Sequence, residues 1–464
     1  MSMLTDFLLT TPLARRLYHE YAAGLPIIDY HNHLSVRELA ADHRFADLTE
    51  AWLTNDPYKH RAMRIAGVPE ALITGAQGTP RERFDAWAAV VPNTLGNPLH
   101  LWTRLELARV FGITEPLNPE SADRIWAQAN ERLRASEFSA RGLLRRFNVR
   151  CACTSDGLLD DLSYHRKLAE TEKAFRLLPS LRGDDVVTAD PAWLMRLGAT
   201  TGLTIDSLGA FRAAVRQRLH AFDLAGCRLA DHALDSFSFD ARMIGSADEL
   251  FRRHVSGAAL TDGETAALRA GILSFLGQEY GKRGWIMQLH LGAQRQTSTR
   301  LRRLAGPAGG YATIGDTCDT RSLCGFLDHL EQAGVLPRTI CYTLNPADNA
   351  KLATLAGAFA EDGVAGKVQF GPAWWYSDHA SGIRQHLEAL ANHGLLATFI
   401  GMTTDARSPL SFVRHEFFRR VLCDMLGEWA ARDWVPNDAA LLGGMVRAVS
   451  CDNARAMVMG ETGA

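Results

Sequence analysis

Two histidines separated by one residue carry the sharpest chemical signal in this sequence. His31 and His33 follow the apolar segment 25–30, which the hydrophobic pattern predicts to be a short buried strand. Side chains two residues apart on a strand point to the same side, so both imidazoles could hold one divalent cation. Zinc, iron, nickel and manganese all accept imidazole ligands. Because the chain contains 16 histidines, a buried hydrogen-bonded histidine pair is the alternative interpretation.

Asp405 ends the last predicted strand and favours the metal interpretation of the histidine pair. Its carboxylate could bind a cation or act as a general base. It could also cap the helix that is predicted to begin near Ser411, although several residues separate the two. The sequence therefore favours metal binding by His31 and His33, and it leaves three roles open for Asp405.

Further polar and aromatic residues lie at the ends of the predicted strands or shortly after them. They are Arg182, Asp231, His290, Arg295, Trp374, Trp375 and Arg407. A guanidinium can hold a substrate carboxylate through two hydrogen bonds. However, 44 of the 50 basic residues are arginine, so a surface charge is the default interpretation of any single one. The imidazole of His290 could be a satisfied core group, and the tryptophan pair could be core packing or the wall of a sugar site.

The composition is that of a soluble globular protein. The chain has 464 residues, of which 47% are hydrophobic and 22% charged, and this excludes a disordered chain or a coiled-coil rod. The net charge of −2 offers no general attraction to nucleic acid or anionic lipid. Eight cysteines without a C-x-x-C motif indicate neither a disulfide scaffold nor a zinc ribbon. No apolar stretch is long enough to span a membrane, and the N-terminus does not resemble a signal peptide. We expect a cytoplasmic protein with no nucleic-acid or membrane partner.

The elements that must position these residues form a repeating strand–helix pattern. Eight short β-type segments are predicted, at residues 25–30, 149–154, 175–179, 227–232, 285–290, 339–343, 367–370 and 398–402. Strands alternating with helices indicate a parallel sheet, and eight strands can close a (β/α)8 TIM barrel; an open doubly wound sheet is the alternative. Polar residues at the strand ends favour the barrel, whose sites lie at that edge. We predict one α/β barrel domain over residues 1–464, with a mostly helical insertion at 36–146 after the first strand.

Longer motifs resemble the uronate isomerase (glucuronate isomerase) family, a branch of the amidohydrolase superfamily. The resemblance covers nearly the whole chain. The stretches that carry it are 29–34 (Asp-Tyr-His-Asn-His-Leu), 61–64, 92–98, 287–293, 342–346, 369–371 with 374–375, and 401–408 (Gly-Met-Thr-Thr-Asp-Ala-Arg-Ser). Such long motifs in this order are far more specific than the His-x-His pair alone.

The resemblance implies a metal-assisted aldose–ketose isomerisation of hexuronates. D-glucuronate would become D-fructuronate, and D-galacturonate would become D-tagaturonate. By the same resemblance, His31, His33 and Asp405 would bind a divalent ion such as zinc, and Asp405 would help to move the proton between C2 and C1. Tyr58 matches a tyrosine that shuttles protons between substrate oxygens. The remaining matches in the family's active site are Arg182, Asp231, His290, Arg295 and Arg407; we expect Arg407, with Arg182 or Arg295, to anchor the substrate.

One departure from the family pattern concerns the residue before the tyrosine. The family usually has histidine there, whereas this chain has Pro57, whose side chain can neither donate a hydrogen bond nor bind metal. His60 stands three residues further on. Leu181 and Gly183 also replace the tryptophan and proline that are common in the family.

These departures leave two alternative functions open. The first is a metal-dependent hydrolase of a sugar-acid lactone or amide, in which a metal-bound water is the nucleophile. The second is a non-catalytic sugar-acid binding protein that has kept the pocket. A barrel of this size can also form a homo-oligomer, although no sequence feature requires it.

Overall fold

The computed structural model describes residues 4–75, 78–235, 237–307 and 309–461. Within them, seven parallel strands form one sheet in the order β1-β2-β3-β4-β5-β8-β9. These strands are β1 (Ile27–Asn32), β2 (Val149–Gly157), β3 (Arg176–Arg182), β4 (Leu229–Ala233), β5 (Ile286–Leu291), β8 (Arg338–Thr343) and β9 (Val368–Phe370). The strands follow one another in space as they do in sequence, with no reversal of order. This arrangement excludes the open doubly wound sheet and confirms the predicted α/β barrel.

The eighth position of the barrel differs from the prediction. The segment 398–402 is not a regular strand: Thr398 ends the 3-10 turn Leu396–Thr398, and residues 399–402 have no regular secondary structure. The side-chain oxygen of Gln369, in β9, accepts from the amide of Ile400 at 2.8 Å. On the other side, the amide of Asp405 donates to the carbonyl of His31 at 3.0 Å. The segment therefore bridges β9 and β1, but side chains supply part of the bonding that a regular ladder would supply.

Twenty α-helices surround the strands. They are α1 (Pro12–Arg16), α2 (Val36–Ala41), α3 (Leu48–Trp52), α4 (Pro57–Ile65), α5 (Pro80–Val90), α6 (Pro98–Phe111), α7 (Ala122–Leu133), α8 (Ala140–Arg146), α9 (Ser163–Thr171), α10 (Asp184–Thr188), α11 (Pro191–Thr201), α12 (Leu208–Leu224), α13 (Ala247–Val255), α14 (Asp262–Arg283), α15 (Thr299–Ala305), α16 (Thr320–Gln332), α17 (Asn349–Ala358), α18 (Ala380–His393), α19 (Val413–Ala431) and α20 (Ala439–Arg447), all within the described ranges. None of the described helices is long and apolar enough to cross a membrane.

The region between β1 and β2 contains helices α2 to α8 and no strand among its described residues. Helix α4 of this region begins directly after Asp56, whose side chain accepts hydrogen bonds from two backbone amides of the first turn. Pro57 is the first residue of that helix, a position where the missing N–H costs nothing. These two residues therefore fix the position of Tyr58 in the first turn of α4.

A short antiparallel ribbon lies outside the barrel. It pairs β6 (Ala293–Gln294) with β7 (Thr313–Ile314), and it encloses helix α15. The chain between α15 and β7 reaches helix α4, because the guanidinium of Arg61 donates to the carbonyl of Ala312 at 2.9 Å. This excursion forms one side of the site described below.

The register of the main sheet places the predicted site residues near the ends of neighbouring strands. Arg182 is paired with Asp231 across β3 and β4. His290 is paired with Ala233 on one side and with Tyr342 on the other. Because all strands are parallel, these positions all lie at the carboxyl edge of the barrel, as expected from the sequence.

Candidate active site

Two imidazoles and a carboxylate converge at the carboxyl end of β1. Nε2 of His33 lies 2.9 Å from Oδ1 of Asp405, and Nε2 of His31 lies 3.6 Å from the same oxygen. One ligand atom from each residue lies within 4.8 Å of the others. No other group of three or more histidine, cysteine or acidic residues with this geometry occurs within the described parts of the chain. The structure thus brings together the three residues that the sequence proposed as metal ligands.

The charges of this cluster suit a cation. Burial would raise the pKa of Asp405, but the adjacent imidazoles of His31 and His33 hold it well below the ordinary value, so the carboxyl is ionised. Burial lowers the pKa of His33 to about 4, which keeps that imidazole neutral with a lone pair available. Burial also acts to lower the pKa of His31, but Asp405 and Asp231 together raise it. A carboxylate and imidazole nitrogens are a donor set that divalent transition metals accept.

A buried aspartate, Asp29, fixes the segment that carries Asp405. Its Oδ1 accepts from the amide of Thr404 at 2.7 Å, and its Oδ2 accepts from the hydroxyl of Thr404 at 2.8 Å. Nε2 of His415, in α19, lies 3.1 Å from Oδ1. Because Asp29 stands two residues before His31 on the same strand, it ties the eighth barrel segment to the strand that bears both histidines.

The second oxygen of Asp405 is held by a tryptophan. Nε1 of Trp375 donates to Oδ2 of Asp405 at 2.6 Å. Both residues have a positive φ, 45° for Trp375 and 51° for Asp405. Such backbone conformations are strained for residues other than glycine and persist where the surroundings impose them. One oxygen of Asp405 therefore faces the imidazoles while the other is committed to the indole.

His290 and Asp231 flank His31. The ring of His290 lies 4.8 Å from that of His31 and stacks on Tyr342 at 4.4 Å. Burial lowers the pKa of His290 well below its ordinary value, and its buried Nε2 has no hydrogen-bond partner among the described residues. Oδ1 of Asp231 lies 4.0 Å from Nδ1 of His31. Burial raises the pKa of Asp231 to about 6, against the attraction of His31 and Arg182.

A cavity of about 460 Å³ opens beside the cluster. Its lining includes the predicted residues Tyr58, Arg182, Arg295, Trp375 and Arg407. The lining also includes Pro57, Asp184, Asp235, Arg302 and Tyr311, which the sequence did not single out as site residues. Trp375 links the cavity to the cluster, because its ring lines the cavity and its nitrogen binds Asp405.

The three predicted arginines differ in their partners. Nε of Arg182 donates to Asp184 at 2.9 Å, and Arg295 pairs with Asp235. Arg407 has no hydrogen-bond or ion-pair partner within the described residues, although its charge acts on His33. Of the three, Arg407 is therefore the guanidinium left free for a ligand.

The two tryptophans also differ in position. Trp374 is 5% exposed and packs against His290, with 5.0 Å between the ring centroids. Trp374 is not among the described residues that line the cavity, whereas Trp375 is. Arg295 lies over both rings, at 5.6 Å from Trp374 and 5.3 Å from Trp375. Trp375 thus forms the cavity wall, and Trp374 packs behind it.

Tyr58 points its hydroxyl into a buried position at the cavity. Its Oη has no hydrogen-bond partner among the described residues, and burial raises the pKa of the phenol far above its ordinary value. A buried hydroxyl without a partner is costly, so a ligand oxygen is a natural partner for it.

His60 does not replace the histidine that the family usually has before the tyrosine. Its Nε2 donates to the carbonyl of Leu53 at 2.7 Å, and the residue does not line the cavity. The corresponding place in the cavity wall is occupied by Pro57. Among the described residues that line the cavity, none therefore places an imidazole next to Tyr58.

Asp29 and two further buried residues, Asp378 and Arg414, were missed as candidate site residues from sequence. Asp29 could have been found, because it lies on the same side of the strand as His31 and His33. Nothing in the local sequence distinguishes Arg414 among 44 arginines.

Comparisons with known proteins point to one family. A family model described as glucuronate isomerase matches residues 1–458. The uronate isomerase of Marinomonas sp. is 45% identical over 460 residues, which cover 98% of each chain. The crystal structure of uronate isomerase from Thermotoga maritima superposes with a TM-score of 0.92 at 31% identity, covering 99% of this chain and 100% of the other. That of glucuronate isomerase from Caulobacter crescentus gives 0.90 at 25% identity, with 99% and 97% coverage.

Proposed function

Since the chain belongs to the glucuronate isomerase family, we propose that it interconverts aldohexuronates and ketohexuronates in the cavity beside His31, His33 and Asp405. The substrate pairs are D-glucuronate with D-fructuronate and D-galacturonate with D-tagaturonate. The observation that carries the proposal is the convergence of an ionised carboxylate and two imidazoles next to a cavity. That cavity also presents the guanidinium of Arg407, which has no partner in the described part of the chain. The relatives favour neither the hydrolase nor the binding-protein alternative.

The cluster suits a divalent metal ion, and we propose zinc. His31, His33 and Asp405 would hold it, because their donor atoms lie within 4.8 Å of one another and Asp405 is ionised. When bound, such an ion stabilises the negative charge that develops on substrate oxygens as a proton leaves the neighbouring carbon.

Asp405 is the proposed group that moves the carbon-bound proton. Isomerisation requires removal of the proton at C2 and its return to C1, and an ionised carboxylate can carry out both steps. The indole of Trp375 fixes one carboxylate oxygen of Asp405, so the proton transfer uses a group of defined orientation.

Tyr58 is the proposed shuttle between substrate oxygens. The reaction also moves one proton from the hydroxyl at C2 to the oxygen at C1. A phenol whose raised pKa keeps it protonated can donate to O1 and then accept from O2. Its unpartnered Oη supports this role.

Arg407 is the proposed anchor for the substrate carboxylate, with help from Arg182 and Arg295. A hexuronate carries its carboxylate far from C1 and C2, and a guanidinium that binds it sets the register of the reacting end. His290, Asp231, Trp374 and Trp375 complete the proposed substrate surroundings. Trp375 lines the cavity, His290 and Asp231 lie beside His31, and Trp374 packs against His290, which supports this assignment.

Three further expectations remain proposals. The eight cysteines are all unpaired, which supports a reducing cytoplasmic compartment. We propose that residues 1–464 form one barrel domain that contains 36–146 as an insertion. We also propose a homo-oligomer, which light scattering on the purified chain would test.

The function is tested by incubating the metal-loaded protein with D-glucuronate and D-galacturonate and following both sugars by NMR. Appearance of the ketohexuronate is the expected result. Release of acid from a hexuronate lactone without isomerisation would support the hydrolase instead. Saturable binding of both hexuronates with no product would support the non-catalytic protein.

A further inference from the structure

A buried ion pair lies beneath the proposed shuttle tyrosine. Nε of Arg414, at the start of α19, donates to Oδ2 of Asp378 at 2.7 Å, and a second guanidinium nitrogen reaches the same oxygen. Arg414 is 3% exposed and Asp378 is 1% exposed. Burying two charges is expensive, and replacing such a pair by apolar residues is often neutral or stabilising. Stability alone therefore does not explain why the chain contains this buried pair.

The guanidinium of Arg414 faces the ring of Tyr58. Its central carbon lies 5.2 Å from the centre of that ring and 4.8 Å from the ring of Trp102. The rings of Tyr58 and Trp102 themselves meet edge to face at 6.0 Å. A cation at this distance from an aromatic face is attracted to the ring, so Arg414 and Trp102 together confine the orientation of Tyr58.

Three carboxylates also act on Tyr58. Asp56, Asp378 and Asp405 all disfavour negative charge on the phenol. Asp56 is paired with Nζ of Lys59 at 2.6 Å, Asp378 is paired with Arg414, and Asp405 belongs to the metal cluster. Arg414 is the cation that lies directly against the phenol ring.

Resting on the function proposed above, we propose that Arg414, held by Asp378, is a positioning residue for Tyr58. It orients the phenol toward the substrate oxygens and stabilises the negative charge that develops on Oη while the proton is in transit. The phenol receives a proton from O2 as it gives one to O1, so Tyr58 ends the reaction protonated, as it began.

The loop that carries Asp378 also carries Trp375. The amide of Asp378 donates to the carbonyl of Trp375 at 3.1 Å. Trp375 holds Asp405, and Asp378 holds Arg414 beneath Tyr58. One short loop therefore fixes both proposed proton-transfer groups relative to each other.

The test replaces the pair by neutral groups of similar size, in the double variant Asp378→Asn/Arg414→Gln, so that no buried charge is left alone. We expect kcat to fall about 10- to 100-fold while KM changes less than about twofold, as for loss of part of a general acid–base contribution. In a Tyr58→Phe background, the same double change should lower kcat by less than about twofold, because the group it supports is absent. A control is Arg109→Gln/Glu416→Gln, a pair that joins α6 to α19 with an Nε–Oε2 distance of 2.8 Å.

Three results separate the possibilities. An unchanged kcat in the double variant would overturn the inference. An equal loss of kcat with and without the Tyr58 hydroxyl would also overturn it, because the pair would then act through general structure. The unaltered protein is assayed beside the variants, and its failure to convert either hexuronate would refute the proposed function itself. If Asp378→Asn/Arg414→Gln does not fold, Arg414→Lys gives the same comparison, with an expected partial retention of kcat.

Discussion

The indole nitrogen of Trp375 lies 2.6 Å from Oδ2 of Asp405, whereas Nε2 of His33 lies 2.9 Å from Oδ1 of the same carboxylate. The two oxygens of Asp405 therefore have separate partners. Partners of this kind around a metal ligand set its orientation and its basicity. The tryptophan thus connects the cavity wall with the proposed metal centre.

Replacing Trp375 by phenylalanine should weaken that centre. Trp375→Phe keeps an aromatic wall but removes the hydrogen bond to Asp405, and we expect metal affinity to fall about 10-fold or more. Competition with a chromophoric chelator measures the affinity. Trp374→Phe is the matched control, because Trp374 makes no hydrogen bond to Asp405 within the described residues. Equal affinities in the two variants would argue against a role for the indole N–H.

Removing the metal should abolish isomerisation reversibly. Dialysis against a chelator is expected to remove about one ion per chain, and added zinc should restore activity. His31→Ala, His33→Ala and Asp405→Asn should each lower the metal content measured by mass spectrometry. The control is His60→Asn, which alters a buried histidine bound to the carbonyl of Leu53. Full activity in the metal-free protein would contradict the proposed centre.

Arg407 should contribute mainly to substrate binding. Its guanidinium lines the cavity and has no protein partner within the described residues, so we expect Arg407→Met to raise KM about 10- to 100-fold, as for loss of a charged hydrogen bond. Steady-state kinetics with both hexuronates check this. Arg302→Met is the control, because Arg302 lines the same cavity but already donates to Gln296 at 2.5 Å. A larger rise in KM for Arg302→Met than for Arg407→Met would show that Arg302, and not Arg407, anchors the substrate carboxylate.

Histidine 386 should make the fold sensitive to acid. Burial lowers the pKa of His386 to about 4, and its Nε2 donates to the carbonyl of Gly371 at 2.5 Å. The unfolded chain, in which histidine titrates near pH ~6.5, takes up a proton first. His386 therefore favours the folded state above about pH 6.5, and this contribution of up to about 3 kcal/mol is lost as the pH falls toward about 4.

Urea unfolding of the protein and of His386→Gln between pH 7.5 and 4.5 tests this prediction. Glutamine can still donate to Gly371 but does not titrate, so the variant should lose less free energy of unfolding on acidification. Parallel pH profiles for the two proteins would show that another group dominates.

Gly310 should be necessary for the position of the helix that bears Tyr58. Its φ is +76°, and a Cβ there would lie 2.2 Å from the carbonyl oxygen of Pro57. We expect Gly310→Ala to cost about 1–3 kcal/mol and to lower kcat, because it would displace the first turn of α4. Gly257→Ala is the matched control, with a φ of +81° and no atom within 4 Å of the added Cβ. Thermal unfolding and steady-state kinetics give the two readouts, and equal effects at both glycines would attribute the loss to φ alone.

By itself, the sequence determined the seven regular strands to within a few residues and the shared direction of His31 and His33. Both follow from local rules, since burial on both faces gives apolar runs and alternation on a strand places residues i and i+2 on one side. It also indicated that polar residues gather at the carboxyl edge, because that edge is where barrel sites lie. The prediction of a regular strand at 398–402 was wrong, because side chains from the neighbouring strands supply hydrogen bonds in place of a backbone ladder.

Only the tertiary structure decided which distant groups meet. Asp405 reaches His31 through the closure of the barrel, and Arg414 reaches Tyr58 from α19, which packs against α6. It also decided that Arg182 and Arg295 have carboxylate partners, whereas Arg407 has none among the residues that the structure describes. The physical reason is that such contacts depend on where whole elements pack, and residue types and local spacing do not specify that placement.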